Sequence, residues 1–355
     1  MNITVTKNPN PGTLPPADQL GFGSIFTDHM FLMDYSADQG WHDARIVPYG
    51  PITLSPAASV FHYGTEVFEG LKAYRRPDGK VQLFRPWENM KRLNRSCERL
   101  GLPQVNEEDA LEAVKALVAL DQRWVPSEEG TSLYIRPFLY GTDPTLALHG
   151  VHEATFAVIL SPSGSYFKDG LQPVPIMVET EDVRAVRGGT GEAKCGGNYG
   201  AANRAGERAE EKGFSQVLWL DGVERKYVEE GGGMKVMFKI DGTVVTPALT
   251  GSILRGITRK SAIELLKSWG APVEERLISV DELFQAAKGG TLEEAWCIGT
   301  AAVISPIGAL GWGDVRYEVN GGRIGALSQK LYDELTGIQW GTRPDPFGWT
   351  CKVEA

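Results

Sequence analysis

The chain has 355 residues, 42% of them hydrophobic and 23% charged, which is ordinary for a soluble globular protein and long enough for two domains. Its net charge of −9 argues against a general surface for nucleic acid or for an anionic membrane, although a local basic site for an anion remains allowed. Residues 1–11 lack the apolar core of a signal peptide, and no apolar stretch is long enough to span a bilayer.

The cysteines and histidines show no spacing typical of a metal site or of a redox pair, so no metal is expected. A reducing compartment, and therefore a cytoplasmic protein, is indicated by four cysteines that lie far apart in the sequence: Cys97, Cys195, Cys297 and Cys351. Ordinary surface or hydrogen-bonding roles are predicted for the five histidines: His29, His42, His62, His149 and His152.

The first half of the chain alternates strand-like and helix-like segments. Pro77-Asp78-Gly79 separates two strand-like runs and predicts a hairpin. Apolar residues recur at helical spacing after Pro86, and Gly101 is predicted to end that helix. Asn106 is predicted to cap the next helix, because its side chain can accept hydrogen bonds from the first backbone N–H groups.

A strand is predicted over residues 131–140. Because side chains alternate along a strand, Tyr134, Arg136 and Phe138 share one face. An arginine between two aromatic side chains suits the wall of a cleft, and a solvated sheet face is the alternative. The strand therefore supplies a candidate binding surface.

The division between domains is placed after a further strand predicted over 154–160. Ser161-Pro162-Ser163-Gly164 breaks the apolar pattern, and polar sequence follows it. This pattern predicts a smaller N-terminal α/β domain over 1–167, an interdomain linker over 168–181 and a larger C-terminal domain over 182–355.

The second half resumes the mixture of strands and helices. Strands are predicted over 216–220 and 234–240, and Asp241-Gly242 predicts a hairpin turn after the second of them. A helix is predicted from Ile257 or Thr258, and a stripe of leucines predicts a last helix near the C-terminus. This mixture indicates an α/β protein of the mixed α+β kind.

Glycines surround Lys194 in the segment that runs from Gly188 to Tyr199. Glycine lets the backbone approach a ligand closely, and a partly desolvated lysine can lose its proton and attack a carbonyl group. The competing interpretation is a solvated lysine in a glycine-rich turn. Two nucleotide motifs fail, because a P-loop would need Gly and Ser or Thr where Ala193 and Cys195 stand, and a dinucleotide fingerprint would need Gly or Ala in place of the lysine.

Lys194-Cys195-Gly196-Gly197-Asn198-Tyr199 resembles the active-site lysine motif of the branched-chain amino acid aminotransferases, which are fold-type IV enzymes that use pyridoxal 5'-phosphate. Further segments resemble that family in the same order along the chain: Phe68-Glu69-Gly70-Leu71-Lys72-Ala73-Tyr74, Leu83-Phe84-Arg85-Pro86, Leu133-Tyr134-Ile135-Arg136-Pro137, Gly299-Thr300-Ala301 and Ile338-Gln339-Trp340-Gly341. The resemblance implies a two-domain fold with the cofactor at the domain interface, and a homodimer or a higher homo-oligomer.

The resemblance also implies cofactor roles for individual residues. Lys194 is expected to bind the aldehyde of pyridoxal 5'-phosphate and then to act as general base. The other expected contacts are Tyr199 at the ring oxygen, Glu230 at the pyridine nitrogen, Arg85 with the backbone of Ile257 and Thr258 at the phosphate, and Arg184 and Thr300 close to the cofactor. The family usually has Asn where Lys235 stands, which is a departure in the pocket wall.

The substrate site implied by the resemblance is mainly aromatic. Its expected residues are Thr300 and Ala301 at the α-carboxylate, Tyr63, Phe68, Tyr134 and Tyr166 around the side chain, and Arg136 for the second carboxylate of glutamate. The implied reaction is a ping-pong transfer of the amino group between leucine, isoleucine or valine and 2-oxoglutarate, which gives branched 2-oxo acids and glutamate. The alternatives are a D-amino-acid transaminase or an aminodeoxychorismate lyase on the same fold, and a non-catalytic paralogue.

Overall fold

The computed structural model describes residues 1–167 and 170–354, which divide into two compact units. The first unit comprises residues 1–166, 193–196 and 337–355, and the second comprises 167–192 and 197–336. No helix in the described part of the chain combines the length and the apolarity needed to cross a membrane.

The first unit is built on a largely antiparallel sheet, nine-stranded in the described residues, with order β1-β3-β2-β8-β7-β5-β6-β18 and β4 beside β7. Its elements are β1 (Thr4–Val5), β2 (His29–Ser36), β3 (Gly40–Pro48), α1 (Ser59–Tyr63), β4 (Glu66–Phe68), β5 (Leu71–Arg75), β6 (Val81–Phe84), α2 (Pro86–Leu100), α3 (Glu107–Leu120), β7 (Ser132–Gly141), β8 (Glu153–Ser163) and the C-terminal β18 (Thr350–Val353).

The second unit carries a mixed sheet, also nine-stranded in the described residues, with order β11-β10-β9-β16-β15-β12-β13-β14 and β17 beside β16. Its elements are β9 (Val174–Val178), α5 (Asn203–Glu211), β10 (Gln216–Leu220), β11 (Val228–Gly231), β12 (Lys235–Ile240), β13 (Thr243–Pro247), α6 (Ile257–Ser268), β14 (Val273–Arg276), α7 (Val280–Gly289), β15 (Leu292–Gly299), β16 (Val303–Trp312) and β17 (Val315–Glu318), with most of α4 (Gly196–Gly200) and of α8 (Ala326–Trp340).

Each unit has its own apolar core. In the first, buried side chains of α2 and α3, such as Leu93 and Val114, pack with strand residues such as Phe156. In the second, buried residues such as Leu283 of α7 lie in one cluster with strand residues of the mixed sheet such as Phe238. The mixture of strands and helices that the sequence predicts is therefore present.

Several local predictions are confirmed. The hairpin joins β5 to β6 in antiparallel register, and α2 ends at Gly101, whose φ of 66° suits glycine. Asn106 caps α3, because its side chain accepts hydrogen bonds from the N–H groups of Glu108 and Asp109 at 2.9 and 3.0 Å.

Two predictions about chain breaks differ from the structure. Strand β8 continues to Ser163, although Ser161-Pro162-Ser163-Gly164 was expected to interrupt it. Proline is tolerated there because β2 pairs with β8 only from Glu153 to Val158, so Pro162 pairs with β7 alone.

The expected linker over 168–181 contains β9, which pairs in parallel with β10 and β16 inside the second sheet. Its first two residues, 168 and 169, lie outside the described residues. The expected C-terminal domain also differs, because 193–196 and 337–355 belong to the first unit. Strand β18 explains the second difference, since it pairs with β6 in the first sheet.

Candidate active site

The residues expected at the active site are divided between the two units. The first unit holds Tyr63, Phe68, Arg85, Tyr134, Arg136, Tyr166 and Lys194. The second holds Arg184, Tyr199, Glu230, Ile257, Thr258, Thr300 and Ala301. The two groups are therefore described separately.

Lys194 lies in a backbone segment that is fixed on both sides. Its N–H donates a hydrogen bond to Ser96 Oγ at 2.9 Å, and its carbonyl oxygen accepts one from the N–H of Phe68 at 2.9 Å. Its neighbours Ala193 and Cys195 are buried in the core of the first unit. The Lys194 side chain leaves this segment with its Nζ 4.7 Å from the centre of the Phe68 ring. The chain thus presents this amine from a rigid support.

A carboxyl group that the sequence analysis missed lies beside the same segment. The N–H of Gly196 donates to Glu66 Oε1, and a Cβ at this glycine would collide with that carboxyl group. Burial raises the pKa of Glu66 above its ordinary value, and the bond from Gly196 opposes that rise. The glycine after Cys195 is therefore required by the close approach of Glu66, for which the sequence offered no spacing signal.

One face of β7 carries two of the side chains expected at the substrate site, Tyr134 and Arg136, and brings Arg136 beside a third, Phe68. Tyr134, Arg136 and Phe138 are all partly exposed and alternate with buried residues, which confirms the predicted shared face. Arg136 donates to the Tyr134 hydroxyl at 3.1 Å, and its guanidinium carbon lies 4.7 Å from the centre of the Phe68 ring. Since Lys194 contacts the same ring, Phe68 connects the lysine to this face.

Arg85 is buried at the start of α2 in a left-handed conformation, with φ of 47°. Its N–H donates to the carbonyl of Trp349 at 2.7 Å, its guanidinium lies 5.1 Å from that ring, and Glu88 Oε1 is 3.5 Å from its Nη2. A positive φ is uncommon for a residue with a Cβ, so the surrounding contacts determine this conformation.

Glu69 of the motif Phe68-Glu69-Gly70 forms a buried ion pair with Arg92 of α2, a structural role that the sequence analysis missed. Glu69 is fully buried and accepts a bidentate pair of hydrogen bonds from Arg92 at 2.7 and 2.8 Å, together with one from Asn89 at 2.7 Å. A Cβ at Gly70 would collide with the Tyr134 hydroxyl. The pair holds α2 against the turn that follows Phe68, beside the face of β7.

The remaining expected residues of the first unit are more exposed. Tyr63 is 41% exposed and its hydroxyl donates to the carbonyl of Leu146 at 2.5 Å. Tyr166 is 50% exposed and is the last residue of this unit before the chain enters the second.

In the second unit, Glu230 is the centre of a buried network of charges. It is 1% exposed, and its Oε1 accepts a hydrogen bond from the N–H of Leu254 at 2.9 Å while Arg184 Nη2 lies 3.4 Å away. Its Oε2 accepts a hydrogen bond from Lys235 Nζ at 3.1 Å. Two cations and one amide thus surround one carboxylate. Lys235, the departure from the family pattern, is itself 5% exposed and forms part of this network.

The neighbouring Glu229 has a different environment, as the alternation of side chains along β11 predicts. Its Oε1 accepts a hydrogen bond from the Ser252 hydroxyl, and its Oε2 is buried with no hydrogen-bond partner among the described residues. Burial raises the pKa of Glu229 above its ordinary value. Burial thus works against ionisation of Glu229, and the positive charge of Arg184 partly opposes this effect.

The N-terminus of α6 lies next to this network. Ile257 and Thr258 begin the helix after Gly256, and no side chain in the described part of the chain caps it. The stem of Lys235 packs on Gly256, where an added Cβ would lie 3.1 Å from Lys235 Cδ. Backbone N–H groups at a helix N-terminus are suited to an anion. Lys235 therefore contacts both the carboxylate of Glu230 and the glycine that precedes α6.

Two further segments of the second unit meet near Met234. The ring of Tyr199 lies 3.9 Å from the Cβ position of Gly233, and Gly299 packs on the Met234 side chain, with Cγ 3.0 Å from the Cβ position. Thr300 and Ala301 follow this glycine in the turn between β15 and β16. The stretch at Gly233 and Met234, which follows the strand that carries Glu230, therefore lies beside both Tyr199 and the turn at Thr300.

Residues 66–310 match the family model described as amino-transferase class IV. The chain belongs to this family. Among its curated relatives, branched-chain-amino-acid aminotransferase 2 of Bacillus subtilis (strain 168) is 57% identical over 355 residues, which cover 100% of this chain and 97% of the relative. The similarity between this chain and the Bacillus subtilis relative therefore extends through both units.

Solved structures of branched-chain amino acid aminotransferases have a fold similar to that of this chain. The branched-chain amino acid aminotransferase of Escherichia coli superposes with a TM-score of 0.76 at 26% identity, covering 92% of this chain and 99% of that one. The branched-chain amino acid aminotransferase of T.th. complexed with N-(5'-phosphopyridoxyl)-L-glutamate has a TM-score of 0.76 at 26% identity, covering 95% of this chain and 99% of that one. The fold-type IV architecture implied by the resemblance is therefore confirmed for this class IV aminotransferase.

Proposed function

We propose that this class IV aminotransferase is a pyridoxal 5'-phosphate-dependent branched-chain amino acid aminotransferase. It would transfer the amino group reversibly between leucine, isoleucine or valine and 2-oxoglutarate. The observation that carries the proposal is the fixed presentation of Lys194 in a chain that is 57% identical to a branched-chain-amino-acid aminotransferase. The neighbour that holds a phosphopyridoxyl-glutamate adduct supports both the cofactor and glutamate as a substrate.

The donor set of the chain fits this cofactor. A pyridine nitrogen needs an acid partner, and Glu230 is a buried carboxylate with cationic neighbours. A phosphate needs N–H donors and positive charge, and the N-terminus of α6 and Arg85 are of that kind. Arg184 Nε is buried without a hydrogen-bond partner in the described part of the chain, which leaves polar capacity beside Glu230.

The cofactor, when bound, supplies an aldehyde for the amino group and a ring that withdraws electrons from the substrate Cα. In this proposal Lys194 Nζ would hold the aldehyde carbon until the substrate amine displaces it, and the freed amine would then move a proton between the substrate Cα and the carbon that had carried the aldehyde. Glu230 holds the proton at the ring nitrogen, and Tyr199 donates a hydrogen bond to the ring oxygen. Arg85 and the first N–H groups of α6 hold the phosphate.

The same chain must bind two kinds of substrate. The backbone amides of Thr300 and Ala301 are proposed to bind the α-carboxylate, which both substrates share. Tyr63, Phe68, Tyr134 and Tyr166 would enclose a branched alkyl side chain by apolar contact. Arg136 would bind the distal carboxylate of glutamate, which needs a cation or a donor.

Lys194→Ala tests the proposal, with Lys80→Ala on the exposed hairpin as the matched lysine control. The Lys194 variant should lose the visible absorption of the bound cofactor and all transamination, because its amine is then absent, while the control should keep both. Borohydride reduction of the wild-type protein followed by peptide mapping should place the phosphopyridoxyl label on Lys194. A label on another lysine, such as Lys72 or Lys235, would overturn the assignment.

A panel of amino donors with 2-oxoglutarate tests the substrate class. Leucine, isoleucine and valine should be the best donors and D-alanine should be inactive. Preference for D-alanine would favour the D-amino-acid transaminase alternative, and pyruvate release from aminodeoxychorismate would favour the lyase.

We further propose that the protein is a cytoplasmic homodimer or a higher homo-oligomer. The finding that all four of its cysteines are free is consistent with a reducing compartment. Light scattering coupled to size-exclusion chromatography measures the assembly directly, and a monomeric mass at micromolar concentration would contradict the proposal.

A further inference from the structure

The loop between β7 and β8 brings together three groups that the proposed active site does not use. They are Asp143, His149 and His152, and one potential ligand atom from each lies within 4.8 Å of those of the other two. The sequence predicts only ordinary roles for both histidines, because their spacing does not suggest a site. The fold of the loop creates the cluster.

Asp143 is the buried member of this cluster. It is 4% exposed, and its Oδ1 accepts a hydrogen bond from the N–H of His152 at 2.9 Å. Its Oδ2 is buried and has no hydrogen-bond partner among residues 1–167 and 170–354. A buried carboxylate oxygen without a partner is unfavourable, and a cation bound there would compensate it.

The histidines are exposed and their rings stack, with centroids 4.9 Å apart and planes inclined by 14°. His149 Nδ1 lies 2.5 Å from the carbonyl oxygen of Gly150. Because a carbonyl can only accept, this nitrogen carries the hydrogen, and Nε2 of the neutral ring keeps its lone pair. A backbone carbonyl that fixes the second nitrogen in this way is typical of histidines that bind metals.

We propose that Asp143, His149 and His152 form a binding site for a divalent transition metal of the zinc class. Two imidazole nitrogens and one carboxylate oxygen are ligands that suit Zn²⁺ and Ni²⁺, and water completes the coordination. Ligand atoms around tetrahedral Zn²⁺ are about 3.3 Å apart, as follows from metal–ligand distances of about 2.0 to 2.1 Å. The exposed histidines must move inward to reach that spacing, which their position on a loop allows.

A second cluster of potential metal ligands differs in its contacts from the cluster of Asp143, His149 and His152. Asp28, His29 and Asp121 also lie close together, but they are buried and their ring nitrogens and carboxylates are engaged within the protein. His29 Nδ1 is 2.6 Å from Asp121 Oδ1, and its Nε2 accepts a hydrogen bond from the N–H of Asn8 at 2.8 Å. That cluster is a structural network, whereas the loop cluster keeps an unpartnered carboxylate oxygen within the described residues and exposed imidazoles.

The site would fasten the two ends of the loop to each other. Asp143 lies just after β7, and His149 and His152 lie just before β8. A metal bound only by the folded loop stabilises the folded protein by mass action. Zinc should therefore raise the melting temperature of the protein as well as bind to it.

The test is a zinc titration of the full-length holoprotein, prepared without a histidine tag and with a chromophoric chelator as competitor. Wild-type protein should bind one Zn²⁺ per chain. His149→Ala, His152→Ala and Asp143→Asn should each weaken that binding by at least about tenfold, because each removes a ligand. His42→Ala, a histidine on β3 outside the loop, should leave the affinity unchanged.

Melting temperatures with and without zinc give the second measurement. At a zinc concentration that saturates wild type, wild type and His42→Ala should be stabilised equally, and His149→Ala should be stabilised much less. Equal zinc affinity in wild type and the three loop variants would overturn the proposal, as would an absence of stoichiometric binding at micromolar zinc. His149 is exposed, so His149→Ala should fold even if Asp143→Asn does not. The zinc affinity of His149→Ala is therefore sufficient to test the proposal.

Discussion

At the scale of single residues, the pair Glu229 and Glu230 shows how adjacent side chains acquire different chemistry. Both are buried, but Glu230 has Arg184 and Lys235 as ionic partners whereas Glu229 has a serine hydroxyl and an oxygen without a partner in the described residues. Buried carboxylates stay charged where cations compensate the lost hydration. This difference supports Glu230 as the partner proposed for the pyridine nitrogen.

We expect Glu230→Gln to retain the cofactor and to lose most of its turnover, because a neutral amide cannot hold the ring nitrogen protonated. Each tenfold loss in kcat corresponds to about 1.4 kcal/mol of barrier. Glu229→Gln is the matched control and should change kcat much less. Cofactor content from absorbance and kcat with leucine measure the two effects, and a larger loss in the Glu229 variant would show that the wrong neighbour was chosen.

At the scale of secondary-structure elements, strand β7 separates a buried face from a polar and aromatic one. Leu133 and Ile135 enter the core of the first unit, while Tyr134 and Arg136 point to the side where Phe68 lies. The alternation follows from strand geometry and needs no tertiary information. Which face the core covers is also clear from the apolar residues, so this part of the site is readable from the sequence.

Arg136→Met tests whether that face recognises glutamate. Methionine keeps the length of the side chain and removes its charge, so a distal carboxylate would be bound without a cation. We expect the half-reaction with glutamate to slow much more than the half-reaction with leucine, which serves as the internal control. Single-turnover changes in cofactor absorbance measure both rates. Equal slowing would mean that Arg136 supports the strand and does not bind substrate.

Some secondary-structure elements are predicted from the sequence and others are not. The cap at Asn106 and the end of α2 at Gly101 depend on neighbouring residues, and both are predicted correctly. A linker was expected where strand β9 lies. The sequence did not reveal the strand, because its partners β10 and β16 are distant along the chain. A short apolar run does not reveal whether a sheet will receive it.

At the scale of the whole molecule, stability should depend on pH through Lys72. This residue pairs in register with Tyr134, and burial lowers its pKa from 10.5 to about 8. Above about pH 8 the folded chain has released this proton, whereas the unfolded chain keeps it up to about pH 10.5. The unfolded state therefore binds more protons in this window, and stability rises with pH relative to a variant without the group.

Lys72→Met should accordingly be more stable than wild type below about pH 8, where the folded protein holds the charge in a poorly hydrated position. The difference should shrink as the pH rises from 8 to 10.5 and then stay constant. Melting temperatures of both proteins, saturated with cofactor, measure it across this range. A difference that does not change with pH would show that Lys72 titrates normally in the folded chain.

The Cys97 and Cys297 thiols should not contribute to such pH effects in the neutral range. Burial raises the pKa of Cys97 and of Cys297 to about 12, so both remain protonated. All four cysteines are free, in keeping with the lack of a CxxC pair in the sequence.

The sequence by itself determined the local elements, the glycine-rich support of Lys194 and, through its motifs, the family. Caps, turns and strand faces are set by interactions within a few residues, which a pattern records directly. Only the tertiary structure decided that residues 337–355 return to the first unit, that Lys235 pairs with Glu230, and that Asp143 meets His149 and His152. These contacts depend on how distant or irregular segments pack, and no local periodicity encodes that packing.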